Sequence, residues 1–373
     1  MEHVRRTNSR VRPAVAVAAL VALAGCAGER PSEDRVEAGP PPVTADIDCA
    51  GSGKVQGSGS TAQQNAMKRW IDQYQRACPG VRVAYNPVGS GAGVAQFLRG
   101  ATAFGGTDSA LGEQDVKISR TLCAGGQAID LPMAGGPVAL GYHLPGVHGL
   151  VLDAPTLAAI FDSRITAWNH PDIRRLNPGV RLPDLAITAV HRSDDSGTTQ
   201  NLNAYLSGAA GDEWPYEAKK AWQAKGGHSA VGSDGIAAAV AGTQGAIGYF
   251  ELSFAATQKI DTVRIDTGAA APVAPSAESA SRGIAQAKVV GRGDDMKLEF
   301  DHGTSADGAY PIVLVTYEVV CDTGNDPASL PALKSFLAYT AGEEGQKLLP
   351  AIHYAPLPDS VATRVRKIIA TLA

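Results

Sequence analysis

The sequence contains, at residues 191–199, the stretch His191-Arg192-Ser193-Asp194-Asp195-Ser196-Gly197-Thr198-Thr199. Apolar side chains recur after it at helical spacing, at Leu202, Tyr205, Leu206 and Ala209. The pattern predicts a helix that begins in the small-residue turn, so we expect the backbone N–H groups of residues 196–198 to be unpaired donors. Arg192, just before the turn, adds a forked donor that suits two oxygens of one tetrahedral anion.

Glycine and hydroxyl residues recur in three earlier segments. These are Gly57-Ser58-Gly59-Ser60-Thr61, Gly89-Ser90-Gly91-Ala92-Gly93 and Phe104-Gly105-Gly106-Thr107-Asp108-Ser109. The first two are typical of a strand, a tight turn and a helix start, and the third places a carboxylate beside hydroxyl groups. Ordinary helix capping by Ser, Thr and Asp explains each segment taken alone. The recurrence of all four segments favours a shared anion-binding site over that alternative.

In these motifs the chain resembles the phosphate-binding proteins that feed the phosphate-specific ABC transporter, from about Gly57 to Ser360. Further landmarks of that family are Ile160-Phe161, Ile165-Thr166-Ala167-Trp168-Asn169, Leu176-Asn177-Pro178, Gly245-Ala246-Ile247-Gly248-Tyr249 and Leu357-Pro358-Asp359-Ser360. The resemblance implies an α/β fold of the type II periplasmic-binding-protein class, in which a two-strand hinge joins two doubly wound lobes. Lobe I would comprise residues 49–141 and 250–373, and lobe II residues 142–249.

The resemblance also implies a set of phosphate-binding residues. They are Thr61, the Ala62 amide, Ser90, Asp108, Arg192, Ser196, Gly197 and Thr198, with Asp194 supporting Arg192 through an ion pair. An ionised Asp108 would accept the proton that phosphate carries near neutral pH and sulfate lacks. The alternative is that Asp108 only caps a turn. The sequence departs from the family at Ala62, where a bulky residue is frequent, at Ser163, usually Gly, and at His170, usually Asp.

Short apolar runs alternate with helical patterns along the chain, which favours a doubly wound α/β fold. The predicted strands are 81–85, 138–142, 186–190, 246–250 and 312–320. The predicted helices lie near 61–76, 92–99, 155–160, 197–208, 234–241, 330–341 and 359–371. The roughly 325 residues after the N-terminal segment exceed the usual domain size, so the length also predicts two lobes.

The N-terminus has the pattern of a lipoprotein signal peptide, residues 1–25. Four arginines precede an apolar run at 14–24, which is shorter than a membrane span of ~20 residues. The motif Leu23-Ala24-Gly25-Cys26 resembles a bacterial lipobox, so we expect Cys26 to be acylated and to anchor the protein at the outer face of the cell membrane. The alternative is a soluble secreted chain. Residues 26–48, rich in Pro, Gly, Ala, Glu and Asp, predict a flexible tether.

The charge of the mature chain is negative. Residues 1–25 contain four arginines and one glutamate, so their removal changes the formal net charge from −4 to −7. This charge disfavours nucleic acid as a partner. It also leaves anion capture to local dipoles and Arg192.

Four cysteines follow Cys26: Cys49, Cys78, Cys123 and Cys321. An even number in an exported chain favours two disulfides. Cys49 and Cys78 bracket the first predicted helix, which favours their pairing and leaves Cys123 with Cys321, although the sequence allows three connectivities. A metal site is the alternative, but no CxxC spacing or histidine cluster supports it. We therefore expect neither a metal nor a cofactor.

The resemblance implies a receptor that binds inorganic phosphate and delivers it to the permease of an ABC transporter with a cytoplasmic ATPase. We expect a monomer. Another oxyanion as ligand, or a role in surface sensing or adhesion, is an alternative. Catalysis is the least favoured class. Loops such as Asp195-Ser196-Gly197 approach those of aspartic proteases, but these enzymes pair two such carboxylates on an all-β scaffold, and Ser196 lacks a G-x-S-x-G elbow.

Overall fold

A computed structural model describes residues 47–373, in which strands and helices alternate. The strands are β1 (Gly53–Gly59), β2 (Val81–Pro87), β3 (Phe104–Thr107), β4 (Ala128–Tyr142), β5 (Val151–Asp153), β6 (Thr188–Arg192), β7 (His228–Ala230), β8 (Ala246–Glu251), β9 (Asp261–Thr262), β10 (Arg264–Asp266), β11 (Lys288–Val289), β12 (Leu298–Glu299) and β13 (Val313–Cys321). The helices are α1 (Gln64–Ala77), α2 (Ser90–Leu98), α3 (Glu113–Leu122), α4 (Ala154–Phe161), α5 (Pro171–Leu176), α6 (Gly197–Ala209), α7 (Gly232–Gly242), α8 (Leu252–Gln258), α9 (Ala277–Ile284), α10 (Leu330–Thr340), α11 (Glu343–Lys347) and α12 (Asp359–Thr371).

The predicted signal peptide, Cys26 and nearly all of the predicted tether lie outside the described residues. Within residues 47–373, no helix combines the length and the apolar character that crossing a bilayer requires.

A nine-stranded sheet runs through both lobes in the order β2-β1-β3-β13-β4-β8-β6-β7, with β9 paired beside β4. In lobe I, β1 lies between β2 and β3 and is parallel to both. In lobe II, β6 lies in the same way between β7 and β8. Each lobe therefore contains a β-α-β-α-β unit whose first strand is central, the arrangement that places a ligand at the carboxyl ends of the strands. The predicted two-lobe α/β fold is confirmed.

The long strand β4 belongs to both parts of the sheet. Its residues Ala128–Pro137 pair with β13, and its residues Val138–Tyr142 pair with β8, antiparallel in both cases. The sequence pattern predicts only the second part as a strand, since prolines weaken the pattern of a central strand. The register with β13 shifts between Thr316 and Tyr317, and this bulge lies next to Pro132. The lobe boundaries near residues 141 and 249 stay a prediction.

Helix α1 packs against the rest of lobe I through one apolar face. Met67, Trp70 and Tyr74 are buried, and the Tyr74 ring meets Phe336 of α10 edge to face, with centroids 5.3 Å apart. This packing fixes α1, and with it the loop between β1 and α1 that carries the first predicted binding residues.

Two disulfides join distant parts of lobe I. Cys49 pairs with Cys78, and Cys123 pairs with Cys321. The first bond ties the segment before β1 to the end of α1. The second ties the end of α3 to the end of β13. Of the three connectivities that the sequence allows, the structure thus forms the one that the spacing favours.

Two departures from the family pattern are accommodated locally. Ser163 has a φ of 56°, in the left-handed region that glycine adopts without a steric penalty, and its hydroxyl donates to the Lys225 carbonyl at 3.1 Å. His170 precedes α5, and its Nδ1 accepts the backbone N–H of Asp172 at 3.4 Å. An aspartate at this position would cap the helix in the same way.

Candidate functional site

The four glycine- and hydroxyl-rich segments meet between the two lobes. The predicted binding residues are all buried: Thr61, Ala62, Ser90, Asp108, Arg192, Ser196, Gly197 and Thr198. In lobe I they follow β1 and β3 or begin α2, and in lobe II they end β6 or begin α6. Both sets therefore lie at carboxyl ends of strands and at helix starts, where the fold exposes backbone N–H groups.

Asp108 collects hydroxyl donors from both lobes on one carboxylate oxygen. Its Oδ2 accepts from Ser60 Oγ at 2.6 Å and from Ser90 Oγ at 3.3 Å, both in lobe I. Thr198 Oγ1 of lobe II donates to the same oxygen at 3.4 Å. Three hydroxyl donors on one oxygen indicate a carboxylate that is held in place and stabilised in its ionised form.

The second oxygen of Asp108 has a different environment. Oδ1 is buried and has no hydrogen-bond partner among residues 47–373. Burial raises the pKa of Asp108 to about 6, although the hydrogen bond from Ser60 and the charge of Arg192 oppose this rise. At neutral pH the group is thus mainly an ionised acceptor, with one oxygen that could accept a proton from a ligand.

Arg192 is held by a carboxylate of its own lobe. Its Nε donates to Asp194 Oδ1 at 2.7 Å, and its Nη2 donates to Asp194 Oδ2. The backbone N–H of Gly232 also donates to Asp194 Oδ1, at 3.0 Å. Burial alone would raise the pKa of Asp194, but the hydrogen bonds and charge of Arg192 outweigh it and lower that pKa. The guanidinium is only 2% exposed, so its charge acts in a water-poor setting.

The start of α6 differs from the prediction of three unpaired N–H groups. The Ser196 N–H donates to the Lys220 carbonyl at 3.1 Å, and the Gly197 N–H donates to Ser90 Oγ at 3.1 Å. The prediction is therefore wrong for these two groups, because each finds a partner far away in the sequence. Ser196 is the N-cap, and its Oγ accepts the Thr199 N–H at 3.2 Å.

The lobes approach each other closely around these residues. A Cβ atom on Gly197 would lie 2.7 Å from Asp108 Cβ and 2.7 Å from Ser90 Oγ, so only glycine fits at this position. The Gly91 N–H of lobe I donates to the Asp195 carbonyl of lobe II at 3.0 Å. The conformation is therefore one in which the two halves of the site are together.

Thr61 and Ala62 follow β1 and have partners of their own. Thr61 Oγ1 lies 2.9 Å from Ser233 Oγ and accepts the Ser233 N–H at 3.1 Å. The Ala62 N–H donates to Ser60 Oγ at 2.9 Å. A ligand contact by the Ala62 amide would have to share or replace that bond, and its role in binding stays a prediction.

Four residues that the sequence analysis did not assign to the site contact those that it did. They are Ser60, Asn201, Ser233 and Tyr249. Asn201 Nδ2 donates to the carbonyls of Asp108 at 2.7 Å and Gly197 at 2.9 Å. Tyr249 OH accepts the Arg192 N–H at 3.1 Å. The helical spacing from Gly197 to Asn201 and the place of Ser60 in a glycine-rich loop are usable signals, whereas nothing in the sequence marks Ser233.

Chemically, the site combines hydroxyl donors, a buried guanidinium, a helix start and a carboxylate acceptor. Donors and positive charge suit an oxyanion, and the acceptor suits an oxyanion that carries a proton. Among residues 47–373, no group of three or more His, Cys, Asp or Glu side chains is placed to hold a metal ion.

Comparison with known proteins identifies the family of the chain. Residues 44–344 match the family model described as a PBP superfamily domain. The chain is 41% identical over 327 residues to the phosphate-binding protein PstS 3 of Mycobacterium leprae, covering 87% of this chain and 88% of that protein. It is 38% identical over 355 residues to phosphate-binding protein PstS 2 of Mycobacterium tuberculosis, covering 93% and 94%.

Solved structures show the same fold. A high-affinity periplasmic phosphate-binding protein called PfluDING, bound with phosphate, matches with a TM-score of 0.69 at 21% identity, covering 84% of this chain and 93% of that one. A phosphate-binding protein of Stenotrophomonas maltophilia matches with a TM-score of 0.66 at 18% identity, covering 85% and 94%. From the family match and the identity over most of its length, this chain belongs to the PBP superfamily and, within it, to the family of the PstS phosphate-binding proteins.

Proposed function

We propose that this chain is a binding protein for inorganic phosphate that acts outside the cytoplasmic membrane and delivers its ligand to an ABC permease. The observation that carries the proposal is the buried Asp108 carboxylate, whose Oδ1 lacks a partner among the described residues while Oδ2 is fixed by three hydroxyls. Around it lie the residues predicted to contact the anion: Arg192, Ser196, Gly197 and Thr198 from lobe II, and Thr61, Ala62 and Ser90 from lobe I.

The acceptor and the donors have separate tasks in this proposal. Arg192 and the N-terminus of α6 supply positive potential for any tetrahedral oxyanion. Asp108 accepts the proton of phosphate, whereas sulfate would bring only acceptor oxygens to an ionised carboxylate. A buried acceptor left without its donor disfavours the wrong ligand strongly, so the site selects phosphate over sulfate.

Closure follows from the distribution of these groups over two lobes. A ligand that contacts both halves binds the closed state more tightly than the open state, so it shifts the population toward closure. The closed form is then the one that a permease would recognise. The names of the relatives, phosphate-binding proteins PstS 2 and PstS 3, support phosphate as the ligand.

The proposed location of the protein rests on its N-terminal sequence. Cleavage after residue 25 and acylation of Cys26 would anchor the mature protein, and residues 26–48 would separate the anchor from the folded lobes. We expect a monomer that needs no cofactor. Membrane fractionation of a Cys26→Ser variant tests the anchor. The variant should appear in the soluble exported fraction with its phosphate binding intact, and membrane retention equal to that of the parent would refute acylation at Cys26.

The ligand itself is tested by equilibrium dialysis with radiolabelled phosphate and unlabelled competitors. Arsenate, which also carries a proton near neutral pH, should displace the label, and sulfate should not. Equal displacement by sulfate would favour a general oxyanion receptor. Release of free phosphate from added phosphate esters would favour a hydrolase instead.

A further inference from the structure

The first turn of α7 forms a second contact between the lobes, beside the proposed phosphate site. The Ser233 N–H of lobe II donates to Thr61 Oγ1 of lobe I at 3.1 Å, and the two hydroxyls lie 2.9 Å apart. At the next position of α7, Asp234 Oδ2 accepts a hydrogen bond from Gln64 Nε2 of α1 at 2.9 Å. Ser233 and Thr61 are buried, whereas the bond between Gln64 and Asp234 is exposed.

This contact has the same form as the one already described at α6. There, the Gly197 N–H at the start of α6 in lobe II donates to the Ser90 hydroxyl of lobe I. At α7, the Ser233 N–H near the start of a lobe II helix donates to the Thr61 hydroxyl of lobe I. Each lobe I hydroxyl therefore accepts from an N–H group at the start of a lobe II helix, a group that has no partner within the helix itself.

The first turn of α7 also contacts Asp194, the carboxylate that holds Arg192. The Gly232 N–H donates to Asp194 Oδ1 at 3.0 Å, and Asp194 Oδ1 in turn accepts from Arg192 Nε at 2.7 Å. Gly232 has a φ of 68°, a conformation that suits glycine, and a Cβ there would lie 3.4 Å from Thr61 Cγ2. Two successive N–H groups thus contact Asp194 in lobe II and Thr61 in lobe I.

We propose that Gly232, Ser233 and Asp234 form a closure latch that holds Thr61 and the Asp194–Arg192 pair in their binding positions. The latch rests on the proposed phosphate-binding function. Its contacts with Thr61 and Gln64 require the lobes to be together, so their free energy stabilises only the closed state. Ser233 and Asp234 are accordingly positioning residues: they should slow the escape of a bound ligand and leave its entry unchanged.

Stopped-flow measurement of phosphate association and dissociation on the purified full chain tests the latch. Ser233→Ala and Asp234→Ala should each raise the dissociation rate about threefold to tenfold, the ratio expected for one net hydrogen bond, with the association rate unchanged. Ser229→Ala and Asp212→Ala, at exposed positions of lobe II, are matched controls and should behave as the parent.

Asp234 lies in the first turn of a helix, where an acidic group is favourable by itself, so a single substitution does not measure only its bond to Gln64. A double-mutant cycle isolates the contribution of the Gln64–Asp234 bond. Gln64→Ala combined with Asp234→Ala should raise the dissociation rate no more than the larger single effect. Additive effects of the two changes, or parental dissociation rates in Ser233→Ala and Asp234→Ala, would overturn the latch while phosphate binding by the parent still stands.

Failure of the phosphate proposal would be seen separately, as absence of phosphate binding by the parent. Hydrogen exchange then tests the latch without a ligand. Gln64→Ala in lobe I should raise the exchange rate of the Ser233 amide in lobe II, because loosening the contact exposes that N–H. An unchanged exchange rate of this amide would overturn the latch.

Discussion

Ser60 donates its hydroxyl hydrogen to Asp108 Oδ2 at 2.6 Å, and the same hydroxyl oxygen accepts the Ala62 N–H at 2.9 Å. One side chain therefore joins the loop after β1 to the carboxylate after β3. It also fixes which oxygen of Asp108 is occupied within the protein and which one is left to meet a ligand.

Ser60→Ala should weaken phosphate binding although Ser60 belongs to none of the predicted contacts. The Ser60 bond lowers the pKa of Asp108, so its loss should raise that pKa further and leave less ionised acceptor at neutral pH. We expect a loss of about tenfold in affinity, or about 1.4 kcal/mol, which is near the lower end of the range for one hydrogen bond to a charged group. The midpoint of the affinity loss on acidification should move to higher pH, as measured by titrations between pH 5 and 8.

Ser58→Ala is the matched control for that change. Ser58 lies near the end of β1, just before the loop that carries Ser60, is buried, and its hydroxyl has no partner among the described residues. Its removal should leave phosphate affinity unchanged, because it takes away an unsatisfied group. If Ser58→Ala and Ser60→Ala weakened binding equally, the effect would reflect packing of β1, and the proposed link from Ser60 to Asp108 would be wrong.

Asp108→Asn should narrow the preference for phosphate over sulfate. The amide can donate to a sulfate oxygen where the carboxylate could only repel it, so sulfate affinity should rise while phosphate affinity falls. Competition titrations should show the selectivity reduced at least about a hundredfold, since a required buried acceptor supplies up to about 10⁴-fold discrimination. If a folded variant kept the parental selectivity, the proposed role of Asp108 would be wrong, and Asp108 would act only as a turn cap.

Arg192→Ala should weaken phosphate, arsenate and sulfate alike, because a guanidinium recognises charge and does not recognise the ligand's proton. Asp194→Asn should have a smaller effect of the same kind. The amide keeps the shape but loses the ion pair that orients Arg192. Affinities for the three anions measured side by side check this prediction. A loss confined to phosphate in either variant would contradict it.

The unfolding free energy of the ligand-free protein should depend on pH through the titration of Asp108. Burial raises the pKa of this group from 3.8 in its ordinary state to about 6 in the folded state. The folded state then holds the proton more tightly, so the contribution to stability is full below pH 4 and is lost as pH rises through 6. Relative to Asp108→Asn, the parent should lose about 3 kcal/mol of unfolding free energy over this range. Parallel denaturation profiles of the two proteins between pH 4 and 7 would contradict the raised pKa.

The sequence predicts local features of the site better than its long-range pairings. The helix start at Gly197 follows from apolar spacing, and the grouping of Asp108 with Arg192 follows from the family resemblance. The partner of the Gly197 N–H could not be predicted, because Ser90 is separated from it by 107 positions and meets it only when the lobes close. For the same reason Ser233, which contacts Thr61 across the cleft, carries no mark in the sequence.

In the fold, too, the sequence predicts local features better than long-range pairings. The strands 138–142 and 246–250 are predicted by their apolar runs, but the first half of β4 is not. Ala128–Pro137 contains prolines that argue against a central strand. It is nevertheless one, because β13 pairs along its whole length with a bulge beside Pro132, a tertiary arrangement that local propensity does not encode.

Calorimetric titration of the purified protein with phosphate, and separately with sulfate, tests the central claim most directly. We predict one phosphate bound per chain, with sulfate binding weaker by about 10⁴-fold, because the buried Asp108 carboxylate requires a proton from its ligand. Saturable binding of sulfate with an affinity equal to that of phosphate, or no heat from phosphate with a folded protein, would contradict it.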